Sequence, residues 1–384
     1  MKQLSLCSMA LCLILLFSCE KDDSNDDDSN TEITNPVKLT GYQTENLILE
    51  DHIDGSGPDY YVINDWVIRS DVEIQPGVHI MIKEGATIEI DAEGSFNATG
   101  TEEAPIVIYG EVQNAGYWDA IKFDDSNNPQ NKMIHVHISD GGGDVHYGMV
   151  SMTNNSMLEM NNSVISNSAK YGLYLSTGDE SLPDFFNNTI SACASCPIRL
   201  RCRQLHYLDA STDFSGNSGD SYVEVETGDV EGDVTWKKLA GPVVFKSGYN
   251  NIYGDVSVEP GAVLLMGSGA KIIIEPEGSL NMEGTQAEPI TIKGEVESPG
   301  YWEMISFDNS NNPLNKLSHV NISHGGDFGE ANVWCGGSTR IEIANSSFNY
   351  SANYGIYLGR NVTFINGGGN TFTGNAADDI YLQP

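Results

Sequence analysis

Basic side chains are scarce in this chain: 19 lysines and arginines stand against 54 aspartates and glutamates in 384 residues, a formal net charge of −35. A field of that sign repels nucleic acid and other polyanions, and suits a neutral polymer or divalent cations. Cysteine is sparse too. Of seven cysteines, Cys7, Cys12 and Cys19 cluster near the N-terminus, leaving Cys193, Cys196, Cys202 and Cys335 for the body of the chain. A structural zinc site takes four ligands in paired spacing, and Cys193-x-x-Cys196 has no matching pair, so zinc is not expected. The apolar run from Met9 to Phe17 is too short to span a bilayer, which takes ~20 residues. From Leu47 onward no stretch carries the 3.6-residue period of a helix.

The start of the chain is expected to fix its location. Lys2, the short apolar run and Ser18-Cys19 follow the pattern of a cleaved secretory signal over residues 1–18. The segment Leu16-Phe17-Ser18-Cys19 resembles the lipobox of bacterial lipoproteins. That resemblance implies cleavage before Cys19, lipidation of Cys19 and anchoring in the outer membrane. Residues 19–37 then form an acidic tether, because Glu20 to Thr31 has nothing to bury and is expected to be disordered. Lys21-Asp22-Asp23 after the lipidated cysteine resembles the surface-export signal of some Gram-negative lipoproteins, implying the outer cell surface. Exported proteins can form disulfides, so Cys193 could close a small loop with Cys196 or Cys202. Cys335 reads as a buried free thiol.

The rest of the chain is written twice. A stretch beginning at Pro76 returns from Pro260 at a constant offset, Gly77 matching Gly261 and Trp118 matching Trp302. Within each copy apolar residues alternate with polar ones, as in Val78-Ile80-Ile82, Ile106-Ile108 and Ile121-Phe123, the mark of strands with one buried face. Ile134, Val136 and Ile138 read the same way, with His135 and His137 on the opposite face. Glycines such as Gly85 and Gly100 punctuate the strands and permit sharp corners. Short strands with recurring corners over roughly 20–30 residues fit the coils of a solenoid. Asn161, Asn162, Asn188, Asn345 and Asn370 fit left-handed corners and hydrogen-bonded stacks.

The segments Gly100-Thr101 with Pro105-Ile106-Val107-Ile108, Gly116-Tyr117-Trp118 with Ile121-Lys122-Phe123, and His135-Val136 with Gly141-Gly142 resemble bacterial right-handed parallel β-helix lipoproteins of the pectate-lyase-like superfamily. The resemblance covers both copies. It implies an all-β fold, a right-handed parallel β-helix with internal duplication, of roughly a dozen coils. The first half is expected over 38–229 and the second over 230–384. Val230 to Lys246 would join them into one continuous solenoid, two separate helices being the alternative. Asp119-Ala120 and Glu303-Met304 depart from the small residues common after the tryptophan in this family.

Such scaffolds host lyases, hydrolases, adhesins and binding proteins, so function must be argued from residues. Tyr117, Trp118, Tyr301 and Trp302 are candidates for stacking on sugar rings, though aromatics duplicated at a corner also suit a cover over the core. Arg199, Arg201 and Arg203 alternate with Ile198, Leu200 and Cys202, so one strand would point all three outward. They could hold an anionic sugar, or be neutralised by acids on adjacent coils. His135 and His137 are a candidate metal pair, weakened in the second copy, where His319 is followed by Asn321. Asp124 and Asp125 are a candidate acid–base pair or a solvated turn. Gly141-Gly142-Gly143-Asp144 resembles Ca²⁺-binding glycine repeats without their nine-residue period, so Ca²⁺ is compatible with the acidity but no motif assigns it, and no other cofactor is expected. The expected function is a surface-anchored, non-enzymatic glycan-binding or adhesin-like protein. A polysaccharide lyase or glycoside hydrolase is the alternative, although no lyase motif is present, and a structural envelope protein is the third reading.

Overall fold

The computed structural model describes residues 35–53, 55, 57–144, 148–217 and 222–384. The signal segment, Cys19 and the tether as far as residue 34 lie outside the described residues. Val37 already opens the first strand, Val37–Gln43. The chain is all-β, its parallel strands stacked as a β-solenoid of about 13 turns.

The alternation of apolar residues builds this stack directly. In strand Ile106–Gly110, Ile106 and Ile108 point inward and are fully buried, while Val107 and Tyr109 face out. Ile108 lies in register with Ile80 of the coil on one side, and Ile106 with Val136 on the other. Inward positions therefore form continuous rows of β-branched side chains, each worth ~1.5–3 kcal/mol of burial. Trp66, Trp118, Trp236 and Trp302 are the largest side chains fully buried in the interior.

Each coil of the first copy contributes to three sheets. Sheet I contains His79–Ile82, Ile106–Gly110, Val136–Ser139, Val164–Ser166 and Thr189–Ser191. Sheet II contains Ile88–Ile90, Ile121–Asp124, Val150–Thr153, Leu173–Leu175 and Ile198–Arg201. Sheet III contains Leu47–Leu49, Asp71–Ile74, Ser95–Thr99, Lys132–Ile134, Glu159–Asn161 and Phe185–Phe186. Where the chain leaves one sheet for the next the backbone closes up. At Gly94 a Cβ would lie 2.3 Å from the Ile68 carbonyl oxygen, and at the matching Gly278 one would lie 2.2 Å from that of Ile252. Any side chain there would collide with the neighbouring coil.

The second copy does not continue the first sheet for sheet. Ile198–Arg201, the last strand of sheet II, pairs with Val223–Glu226, which pairs with Val243–Phe245, which pairs with Val263–Met266. Val263–Met266 is the counterpart of His79–Ile82, a sheet I strand. Sheet II of the first copy thus runs on as the sheet I equivalent of the second, and the repeat is turned by one face about the solenoid axis. Matching positions in the two copies consequently look out in different directions.

Two local expectations need correction. Ile134, Val136 and Ile138 do not share a face. His135 adopts a left-handed conformation with φ of 50°, as does the matching His319 at 51°, and turns the chain from sheet III to sheet I. Met133, Val136 and Ile138 are the inward residues, while Ile134 is half-buried on the outside. The arginine stripe is also shorter than the alternation suggests. The strand ends at Arg201, and Arg203 belongs to a 3₁₀ helix, Cys202–Tyr207.

The asparagines are structural. Asn188 accepts from the Ser163 N–H at 3.0 Å and donates to the Met160 carbonyl at 3.0 Å. Asn370 does the same with Ser346 and Ile343. Asn162 and Asn345 occupy left-handed corners. Asn188 and Asn370 thereby satisfy backbone groups that the corners remove from the strand ladders, whereas Asn162 donates to the Asn161 side chain at 2.9 Å.

Candidate functional site

Trp118 and Trp302 are fully buried, so neither can stack on a ligand. Each indole Nε1–H donates to a carbonyl, Ser139 and Ser323 respectively, both at 2.8 Å. The glycine pairs downstream exist to receive them: a Cβ at Gly141 would stand 2.6 Å from Trp118, and one at Gly325 3.0 Å from Trp302. Tyr117 and Tyr301 are half-buried beside them. The Tyr117 hydroxyl donates to Glu111 at 3.2 Å, sharing that carboxylate with Tyr61 at 2.8 Å. Because the second copy is turned, the two aromatic corners lie along different edges and form no common platform.

The arginines are engaged by neighbouring coils. Arg199 contacts Glu224, Glu226 and the Tyr171 hydroxyl, with its guanidinium 5.2 Å from the Tyr171 ring centre. Arg201 donates to the carbonyls of Ser176 at 3.0 Å and Thr227 at 2.7 Å. Arg203 pairs with Asp179 at 2.9 Å.

Asp124 accepts from Lys122 at 2.9 Å, Thr153 at 2.7 Å and Asn154 at 2.8 Å. Burial would raise its pKa, but these hydrogen bonds outweigh it and hold the carboxyl below the usual range. Asp125 is an exposed left-handed corner residue, with φ of 57°. An ionised, fully occupied carboxylate beside a corner residue is a turn, not an acid–base pair. Cys193, Cys196, Cys202 and Cys335 are free, buried thiols. The Sγ–H groups of the first three donate to the carbonyls of Ser191, Ile198 and Gly228 respectively, so the expected small disulfide loop is not formed here. Among the described residues no group of three or more His, Cys, Asp or Glu side chains is placed to hold a metal ion.

What the stacking does create is a furrow on the outside of sheet III. Its floor is the row of outward side chains Ile48, Glu73, Asn97 and Lys132, brought side by side by the registers Ile48 with Glu73, Glu73 with Asn97 and Asn97 with Lys132. Gln130, on the turn held by Asn128 and Asn131, forms a wall. Two hollows of about 460 Å³ and 410 Å³ share Glu73, Asn97 and Gln130. A third, of about 490 Å³, abuts them where Thr99 gives way to Thr101 and Ile134 to His135.

The lining is amide, hydroxyl and carboxylate with patches of isoleucine. Asp71 is held by Ser95 at 2.7 Å, and Lys132 by Glu159 at 2.7 Å. Glu73 and Gln130 make no side-chain hydrogen bond among the described residues, and so face the furrow with their capacity intact. His135 and His137 line the third hollow without meeting a third ligand. Partial burial first, then the neighbouring His135, holds His137 below the usual histidine range. Glu73, Asn97 and Gln130 do not stand out in the sequence; their only signal is the polar half of an alternation.

No protein-family model and no curated protein matches this chain. The fold and the furrow therefore carry the functional argument alone.

Proposed function

We propose that the protein is a surface-anchored, non-enzymatic β-helix lipoprotein that holds a neutral glycan along the sheet III furrow. The carrying observation is the elongated polar trough in which Glu73 and Gln130 present unengaged hydrogen-bonding groups on either side of Asn97, whose amide oxygen accepts from the Thr99 hydroxyl at 2.8 Å. Hydroxyl-rich chains are bound by such amides and carboxylates, and isoleucine patches suit the apolar faces of sugar rings. The acidity of the chain disfavours uronates and sulfated polymers. The lipobox-like Leu16-Phe17-Ser18-Cys19 and the acidic segment after it support anchoring at the outer membrane with the solenoid facing outward.

The occupied state of Asp124 and of the arginines favours binding over lyase or hydrolase chemistry. A glycan array with the wild-type protein should register neutral oligosaccharides, and binding should fall about tenfold or more in Glu73→Ala and Gln130→Ala, the weight of one hydrogen bond to a charged or well-placed group. No binding on the array would overturn the glycan assignment. Release of fragments from a bound polymer would overturn the non-enzymatic one. Anchoring is tested separately, by lipid labelling that should disappear in Cys19→Ala.

A further inference from the structure

The turn between the two copies leaves a notch at their seam. After Ile198–Arg201 the chain cannot simply add another coil in phase. It makes the 3₁₀ helix Cys202–Tyr207 and resumes at Val223–Glu226. Between that helix, the loop at 178–180 and the first turns of the second copy lies a cavity of about 180 Å³, lined among others by Asp179, Arg203, His206, Tyr207 and Glu231. It is well below the ~300–1,000 Å³ of a drug-sized site, and its size suits a single six-membered sugar ring.

The floor is rigid. Glu180 is 2% exposed. Its carboxylate accepts from the Thr177 N–H at 2.8 Å and hydroxyl at 2.7 Å, the Gly178 N–H at 2.7 Å and the Gln204 amide at 2.7 Å. With its oxygens occupied, Glu180 fixes the loop that carries Asp179 and does not itself reach a ligand. At the rim, Asp179 and Arg203 form an exposed pair at 2.9 Å, a matched acceptor and donor for neighbouring hydroxyls. The His206 Nδ1 lies 2.7 Å from the Arg203 carbonyl. A carbonyl only accepts, so Nδ1 carries the proton and Nε2 is left as an acceptor. Tyr207, packed on the core with its ring centre 4.0 Å from that of His206, gives the pocket an aromatic side together with that histidine, and Val234 supplies apolar contact.

An aromatic side, apolar contact, and a carboxylate–guanidinium pair at the edge together match the two faces and the hydroxyl rim of a pyranose. With Asp179 paired to Arg203 and Glu180 tied to its own loop, Glu231 leaves the rim net negative, which disfavours an acidic sugar. We propose that this seam pocket is a binding site for one neutral sugar ring, separate from the furrow on sheet III and independent of what the furrow binds.

The test is saturation-transfer NMR on the full chain with a panel of neutral hexoses and their uronic and amino counterparts. Transfer is expected from at least one neutral hexose and not from its uronate. It should weaken about tenfold or more in Arg203→Ala, as one charge-assisted hydrogen bond predicts, and in Tyr207→Leu. Glu231→Gln, on the exposed rim, serves as a second variant that does not threaten folding, and it too should weaken transfer. The panel is run in a Glu73→Ala, Gln130→Ala background, which removes the furrow's contribution, so that the remaining transfer reads the seam pocket alone and the two sites fail or succeed separately. Absence of transfer from every neutral sugar, preference for a uronate or an amino sugar, or transfer indifferent to all three pocket variants would each overturn the proposal.

Discussion

Arg199 reaches across the seam to Glu224, its Nε 3.2 Å from the carboxylate, and the same guanidinium contacts Glu226 two residues further on. These contacts tie the last strand of the first copy to the strand that hands the ladder to the second. Arg199 is 28% exposed and Glu224 12%. The pair should therefore be worth more than the ~0–1 kcal/mol of a surface pair and less than the ~3–5 kcal/mol lost when a fully buried pair is broken. Arg199→Ala is expected to destabilise by about 1–2 kcal/mol, read as a lowered urea midpoint. Arg203→Ala, whose pair with Asp179 is far more exposed, should move the midpoint little. Equal midpoints for the two variants would show that the seam is held by its strands alone.

Trp118 and Trp302 give a prediction in which stability and binding part company. Both rings are enclosed, and each leaves a large cavity when truncated. Trp118→Ala and Trp302→Ala should each destabilise by ~3–5 kcal/mol, visible in thermal melting. Glycan binding per folded molecule should be unchanged, because the rings face the core. Normal melting with lost binding would restore them as ligand-stacking residues.

Much of the fold is readable from the residues because its two rules are local. Alternation at period two names the inward rows, and a residue such as Gly94, which has no room for a Cβ, marks where coils touch. The turn of one copy against the other is not readable, since a constant sequence offset carries no angle; it is set by Val223–Glu226 pairing on both sides. His135 misleads for a related reason. Its alternation with Val136 and His137 continues through a left-handed corner that reverses which side faces in. Arg203 looks like a third strand residue because nothing in the alternation announces the hydrogen bond from the Arg201 N–H to Gln204 at 3.0 Å, which opens the 3₁₀ helix. The furrow is least legible of all. Glu73, Asn97 and Gln130 are scattered in sequence and meet only through strand register and one turn.

Asp119 offers a pH test with a definite sign. Burial first, then the charges of Asp144 and Asp65, push its carboxyl above the ordinary aspartate range. A carboxyl whose folded pKa is raised holds its proton more tightly in the folded state, so its charge is a burden on the fold at neutral pH. Asp119→Asn should therefore raise stability at pH 7. The advantage should shrink as pH falls through the raised folded value, and vanish below ~3.9, where the unfolded aspartate is protonated too. Denaturant midpoints of the two proteins between pH 3 and 7 would show it. A gap that widens on acidification would contradict the assignment.

Cys193, Cys196, Cys202 and Cys335 are free in the fold and sealed from solvent. Burial pushes the Cys193 and Cys202 thiols up to about 12, and shifts Cys196 and Cys335 in the same direction. Thiol reagents attack the thiolate, so these four positions should resist labelling at pH 8 in the folded protein. All four should label in urea without any reductant, as peptide mass spectrometry can establish site by site. The outcome also decides the loop around Cys193. If Cys193 and either Cys196 or Cys202 stay unlabelled in urea until a reductant is added, a disulfide has formed there. The hydrogen bonds their Sγ–H groups now donate to Ser191, Ile198 and Gly228 would then have to be broken to bring the two sulfurs together.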